Sequence, residues 1–205
     1  MPPAFWTTLL QAACCRTGRA AHGVFELLQI IHWPDPHLTR ASKPVEVFDE
    51  ALAALAQRML QLMHEARGVG LAAPQVGHNI RLFVSGHTPE PETDRVYVNP
   101  VVLESSGNDE GEEGCLSIPG INVRIVRARH VRLVAQDVHG NPFELEADGY
   151  LPRIWQHEID HLNGTLILDR MGAVARMANR RTLRELRTKY EKDHPPAPKP
   201  RLVRR

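Results

Sequence analysis

At 205 residues, 42% of them hydrophobic and 24% charged, the chain can bury one sizeable core, and a second full domain would be cramped. A formal net charge of +1 selects no strongly charged partner, and no apolar run approaches the roughly 20 residues of a membrane helix. The cysteines (Cys14, Cys15 and Cys115) are odd in number, two of them adjacent, so they form no disulfide framework. A reducing, cytoplasmic setting is expected, with Cys115 free to be a ligand or a buried thiol.

Residues 1–23 contain no acidic group and read as a disordered leader or a mis-assigned start. Organelle targeting, on the strength of Arg16 and Arg19, is the sharper alternative. No secretory signal is expected, because these charges follow the weakly apolar stretch Phe5–Cys15 where a signal would put its charge first. Val24–Ile31 is a strand candidate closed by Trp33-Pro34-Asp35-Pro36. Asp49 is placed to cap a helix in which Leu52, Leu55, Ala56, Met59, Leu62 and Met63 recur at helical spacing until Gly68.

Short β-type runs follow at Ile80–Val84, Val96–Val98, Val101–Leu103, Val123–Val126, Val131–Asp137 and Phe143–Glu146, with His139-Gly140-Asn141 as a hairpin turn. A second helix is predicted from about Asp148 to Leu162, with Pro152 in its first turn and Asn163-Gly164 as its stop. A third, basic helix spans Val174–Tyr190, and residues 191–205 form a basic, Pro-rich tail expected to be disordered. Strands and helices do not alternate regularly. The expected fold is therefore α+β, with mostly antiparallel strands around a central metal-binding helix, one helix in the N-terminal half and one at the C-terminal end. One catalytic domain covers 24–190.

Chemistry concentrates in Gln156-His157-Glu158-Ile159-Asp160-His161. Residues four apart on a helix lie about 40° apart around its axis, so His157 and His161 can face one ion. Glu158, about 100° from His157, can take a proton from a water nearby without binding the ion. A short motif of this kind also arises by chance as a solvated helix face. Here Ile154, Ile159 and Leu162 anchor the helix in a core.

A catalytic site needs a third ligand. Downstream there is Asp169, and then nothing acidic-long or imidazole until Glu185; upstream stands Glu112-Glu113-Gly114-Cys115-Leu116-Ser117-Ile118-Pro119. Cys115 taken alone reads as a small buried core residue more readily than as a ligand. Gly68-Val69-Gly70-Leu71-Ala72-Ala73-Pro74-Gln75 is no phosphate loop, since no Lys-Ser/Thr pair follows. Its small residues do allow close backbone approach to a ligand, and Gln75 offers an amide.

Taken together and in this order, the Gly68–Gln75, Glu113–Ser117 and Gln156–Leu162 segments resemble the three signature motifs of the peptide deformylases, and the similarity runs from about Val24 to Met171. Two departures stand out: Pro152 where a residue such as Ala is common, and Gly111 where many relatives carry a larger apolar side chain near the methionine pocket.

The resemblance implies hydrolysis of the N-formyl group from the starting methionine of nascent polypeptides. It implies Cys115, His157 and His161 as ligands to Fe²⁺, with Zn²⁺, Ni²⁺ or Co²⁺ able to substitute, whereas spacing alone would say zinc. Glu158 is then the general base, and Gln75 and the Leu116 N–H are donors to the developing oxyanion. Gly70 holds the substrate backbone, while Val69, Glu113, Tyr150 and Ile154 line the methionine pocket. The partners implied are formyl-methionyl nascent peptides and the ribosome near its exit tunnel, with no membrane and a monomeric state expected. Two alternatives stay open: a zinc endopeptidase sharing the helix motif, and an inactive ribosome-associated binding module.

Overall fold

The first helix begins where its side chains dictate. Asp49 accepts a hydrogen bond from the Leu52 N–H (2.9 Å) and caps α1 (Glu50–Glu65), which buries Leu52, Leu55, Ala56, Met59 and Met63. It ends earlier than the glycine suggests. Arg67 takes the left-handed position (φ 56°), and the N–H groups of Arg67 and Gly68 close back on the carbonyls of His64 and Met63, both at 2.9 Å. Gly68 is small for another reason: a Cβ there would come 2.7 Å from Leu116 Cδ1.

The computed structural model describes residues 28–86 and 93–195. The expected leader and residues 196–205 lie outside them, as do residues 24–27 of the first strand candidate. Its remainder, Leu28–Ile31, is not a strand. Ile31 donates to the Gln75 carbonyl (2.8 Å) and Trp33 to the Ser117 carbonyl (2.9 Å), single bonds to two irregular segments that offer no ladder.

Five antiparallel strands make the main sheet, in the order β1 (Gly70–Ala72), β2 (Leu82–Ser85), β3 (Arg95–Ser106), β6 (His130–Gln136), β7 (Pro142–Asp148). Two of the expected runs merge into β3. Asn99-Pro100 interrupts its ladder without ending it, because Asn99 adopts φ 51° and the register slips between Val98 and Val101. A separate two-stranded sheet pairs β4 (Asp109–Gly114) with β5 (Asn122–Arg127). Neither β1 nor β4 was foreseen: one has three residues, and the other reads Asp-Glu-Gly-Glu-Glu-Gly, with no apolar alternation.

The alternation of β2 explains how the layers form. Leu82 and Val84 join α1 in one core with Met59 and Met63. Phe83 points the other way, into a core with Tyr97, Leu133, Trp155 and Leu162. The element behind Trp155 and Leu162 is α2 (Tyr150–Leu162), so the sheet lies between the two helices. Asp148 closes β7 instead of opening this helix; Asn163 and Gly164 (φ 72°) end it as expected. A third core joins Val123 and Ile125 of β5 to Ile167 and Leu168 of α3 (Ile167–Arg170).

The expected single C-terminal helix is two, α4 (Ala173–Ala178) and α5 (Arg180–Asp193), broken at Asn179. The Asn179 side chain turns back to the Ala175 carbonyl (2.9 Å), competing with the helical ladder. No helix among the described residues is long and apolar enough to cross a membrane.

Candidate metal centre and catalytic cleft

Helix α2 is amphipathic around a buried face, and that face carries His157 and Glu158 into a cleft, with His161 buried beside them. The cleft, about 350 Å³, is walled by β1, the end of β4 and the first turns of α2. Cys115 enters from the opposite side, one residue beyond β4, and its sulfur lies 3.3 Å from His161 Nε2. One donor atom each from Cys115, His157 and His161 lies within 4.8 Å of the others. This is the one three-residue group of His, Cys, Asp and Glu found among the described residues that could hold an ion. Asp169, the downstream candidate, instead accepts from the Leu166 N–H (2.9 Å) and opens α3.

The donor set fits a divalent transition-metal ion. Two ligands of a tetrahedral ion bound at about 2.0–2.3 Å stand roughly 3.3–3.6 Å apart, and the sulfur–nitrogen separation matches. His157 Nδ1 lies 3.0 Å from Glu113 Oε2, which leaves Nε2 to face the cleft and fixes the ring's orientation. Burial, and then the charges of His157 and Arg127, push His161 well below the usual imidazole range, so it keeps a lone pair to offer. At His157 burial opposes charge too, yet the Cys115 sulfur and the Glu113 carboxylate outweigh it and raise the ring well above that range. The surroundings favour a positive charge at this point.

Beside this group stands Glu158, 3% exposed, with Oε2 lacking any partner among the described residues. Burial pushes its carboxyl up to about 7, which suits a group that must both take and return a proton near neutrality. Its place depends on Gly70, where a Cβ would meet Glu158 Oε1 at 2.3 Å. Gln75 is buried in the short 3₁₀ turn after β1. Its Oε1 accepts from the Ala72 N–H (2.7 Å), so Nε2 must point into the cleft, toward Cys115 Sγ (3.6 Å) and Ser117 Oγ (3.2 Å). Leu116, Val69, Glu113, Tyr150 and Ile154 all line the same cavity. Gly70, Gln75, Cys115, Leu116, His157 and Glu158 thus line one cleft, and His161 is buried behind it against the Cys115 sulfur.

Sequence reasoning missed what holds the two halves together. Arg127 grips Glu113 with Nε (2.9 Å) and Nη2 (2.8 Å) and Asp160 with Nη1 (2.5 Å). Arg153 adds a bond from Nη1 to Glu113 Oε1 (2.6 Å) and one from Nη2 to Asp109 (2.9 Å), and Arg170 pairs with Asp160. Six alternating charges thus join β4, β5, α2 and α3. Burial alone would raise Glu113, but the Arg127 bonds and the His157 ring hold it far below the usual carboxylate range. The available signal was periodic: Arg153, His157, Asp160 and His161 share a face of α2.

Residues 27–177 match the family model described as polypeptide deformylase. A peptide deformylase of Chromobacterium violaceum is 49% identical over 145 residues, covering 71% of this chain and 87% of that one. A second, from Hahella chejuensis, is 41% identical over 168 residues, covering 82% and 96%. Among solved structures, peptide deformylase from Plasmodium falciparum superposes with a TM-score of 0.79 at 37% identity, covering 82% of this chain and 100% of that one. The Legionella pneumophila peptide deformylase gives 0.75 at 43%, covering 82% and 98%. With a cleft of this make-up and similarity across most of its length, the chain belongs to the peptide deformylase family.

Proposed function

We propose that this hydrolase removes the formyl group from the N-terminal formyl-methionine of nascent polypeptides, with Cys115, His157 and His161 holding a metal ion and Glu158 as general base. The observation that supports this reading most is the convergence of one thiol and two imidazoles, from separate stretches of chain, beside a buried carboxyl. A bound divalent ion would polarise the formyl carbonyl and lower the pKa of a water molecule.

The chain's own residues do the rest. Glu158 takes a proton from the attacking water, whose oxygen bonds to the formyl carbon. Electron density passes to the carbonyl oxygen, where the Gln75 amide and the Leu116 N–H donate to the growing charge. When the C–N bond breaks, its electron pair stays on nitrogen and Glu158 returns the proton there, leaving formate and a free amine. Gly70 gives Glu158 its room and lets the substrate backbone lie along β1 as an added strand. Val69, Glu113, Tyr150 and Ile154 receive the methionine side chain.

Formate release from formyl-Met-Ala-Ser tests the assignment. Glu158→Ala is expected to lower kcat by about 10²–10⁴-fold, while an internally cleavable peptide stays intact with either enzyme. Release retained by the variant overturns the general base. For the metal we assign Fe²⁺, with Zn²⁺, Ni²⁺ or Co²⁺ as substitutes; the assignment rests on the resemblance to the family, since one thiolate and two imidazoles by themselves suit zinc equally. Metal analysis after anaerobic purification and reconstitution with each ion tests it; equal activity with zinc, without oxygen sensitivity, removes iron.

We also infer a cytoplasmic monomer that meets nascent chains at the ribosome. Arg176, Arg180, Arg184 and Arg187 line one groove with Trp33 and Leu183, a surface suited to phosphates. Ribosome co-sedimentation unchanged by reversing the charge of Arg180, Arg184 and Arg187 would remove that contact.

A further inference from the structure

One wall of the cleft has no role in the steps above. Arg153 lines the cavity one helical turn before His157, with a side chain that is 6% exposed. A guanidinium has five N–H groups. The two on Nη1 reach Glu113 Oε1 (2.6 Å) and the Ile125 carbonyl (3.0 Å); the two on Nη2 reach the Asp109 carbonyl (2.6 Å) and carboxylate (2.9 Å). The Nε–H is the fifth, and none of these acceptors serves it.

Gly111 makes this arrangement possible. A Cβ there would stand 2.9 Å from Arg153 Cζ and 3.0 Å from Nε, so position 111 must stay bare for the guanidinium to lie where it does. Glycine at 111 and arginine at 153 are one device: a charge-compensated cation occupies volume that an alkyl side chain would otherwise fill. The wall near Ile154 and Tyr150 is consequently polar and carries a spare donor. Thioether sulfur is a weak acceptor and an alkyl chain is none, whereas a sulfoxide oxygen is a good one.

We propose that Arg153 determines specificity for the first side chain of the substrate, selecting one with an acceptor near its end, so that formyl-methionine sulfoxide peptides are substrates alongside formyl-methionine. This rests on the deformylase reading. An alkyl analogue such as norleucine strands the Nε–H without a partner, the situation in which a polar site rejects its ligand's apolar isostere. In an apolar pocket the order would be the opposite, since the sulfoxide would lose its hydration for nothing.

The experiment is kcat/KM for formate release from formyl-Met-Ala-Ser and from the same peptide with norleucine or methionine sulfoxide first, using wild type, Arg153→Met and Gly111→Ala. Arg153 also holds Glu113, so Arg153→Met is slower with every substrate; the readout is the sulfoxide-to-norleucine ratio within each enzyme. Wild type is expected to favour sulfoxide over norleucine by about tenfold, and Arg153→Met to reverse the order. Gly111→Ala, which displaces the guanidinium, should lower the ratio in the same direction and serves if Arg153→Met does not fold. Norleucine equal to or better than the sulfoxide in wild type overturns the proposal, as does a ratio that neither substitution changes. Absence of formate from formyl-Met-Ala-Ser itself would count against the deformylase reading instead.

Discussion

Gly70→Ala is the smallest change that interrogates the cleft. The added methyl would lie 2.3 Å from Glu158 Oε1, 2.8 Å from Cδ and 3.0 Å from Cγ, where ordinary contacts begin at 3.4 Å. The overlap is roughly 1 Å and falls on the carboxyl of the assigned base. Neither partner yields easily. Gly70 is pinned in β1 opposite Ser85, and Glu158 is 3% exposed on a helix wedged under the sheet. A base displaced by about 1 Å loses on the order of 10²-fold in kcat, equivalent to about 2.7 kcal/mol of barrier. The overpacking itself costs about 1–3 kcal/mol of stability.

The assay is steady-state formate release with metal content and thermal unfolding measured on the same preparation. Expected are a kcat reduced by about 100-fold and an unchanged metal stoichiometry, with any rise in KM smaller than the fall in kcat, because the methionine pocket is untouched and only the backbone contact along β1 is crowded. Pairing Gly70→Ala with Glu158→Asp, which retracts the carboxyl by one methylene, should cost less than the two separate losses combined. A Gly70→Ala enzyme within threefold of wild-type kcat would refute the view that Gly70 exists to seat Glu158.

Three further outcomes are expected. Cys115→Ala should purify with little bound metal while keeping its secondary structure, read by metal analysis beside circular dichroism; full occupancy would remove Cys115 from the ligand set. Arg127→Met leaves buried Glu113 to Arg153 and His157 and Asp160 to Arg170; the loss should stay below the about 3–5 kcal/mol of a fully stranded buried charge, measured by urea denaturation with bound metal present throughout. Tyr97→Phe removes the oxygen that accepts from Trp155 Nε1 (3.0 Å) and bonds Ser85 Oγ (3.3 Å). The loss of about 1–3 kcal/mol should lower Tm without altering KM.

What could be read in the sequence was whatever carries a period or a motif. Asp49 and the Leu/Met stripe give α1 because capping and amphipathic burial are local properties. The His157–His161 spacing likewise places both imidazoles before any tertiary fact is known. Cys115 could be joined to them through family resemblance, since nothing local says that residue 115 meets residue 161. The failures are where tertiary partners decide. Apolar Leu28–Ile31 finds no ladder, and acidic β4 pairs because β5 buries Val123 and Ile125 against α3. Gly111 drew notice as a small residue in a pocket wall, yet its reason, a guanidinium arriving from 42 positions along the chain, is visible only in three dimensions.

That guanidinium also explains how a centre split between two sheets keeps its geometry. Two of the proposed ligands ride on α2, whose position is fixed by Trp155 and Leu162 packing beneath the main sheet. The third sits at the end of β4, whose one strand partner among the described residues is β5. Apolar contact ties β5 to α3 on its far side, but it does not fix where Cys115 stands relative to His161. The charges do: Glu113, two residues before Cys115, is held by Arg127 from β5 and Arg153 from α2, and it turns its second oxygen to His157. One buried carboxylate thus sets both the approach of the thiol's strand and the orientation of an imidazole. Loosening it should disturb ion binding and the base's alignment together, whereas Gly70→Ala should leave ion binding intact.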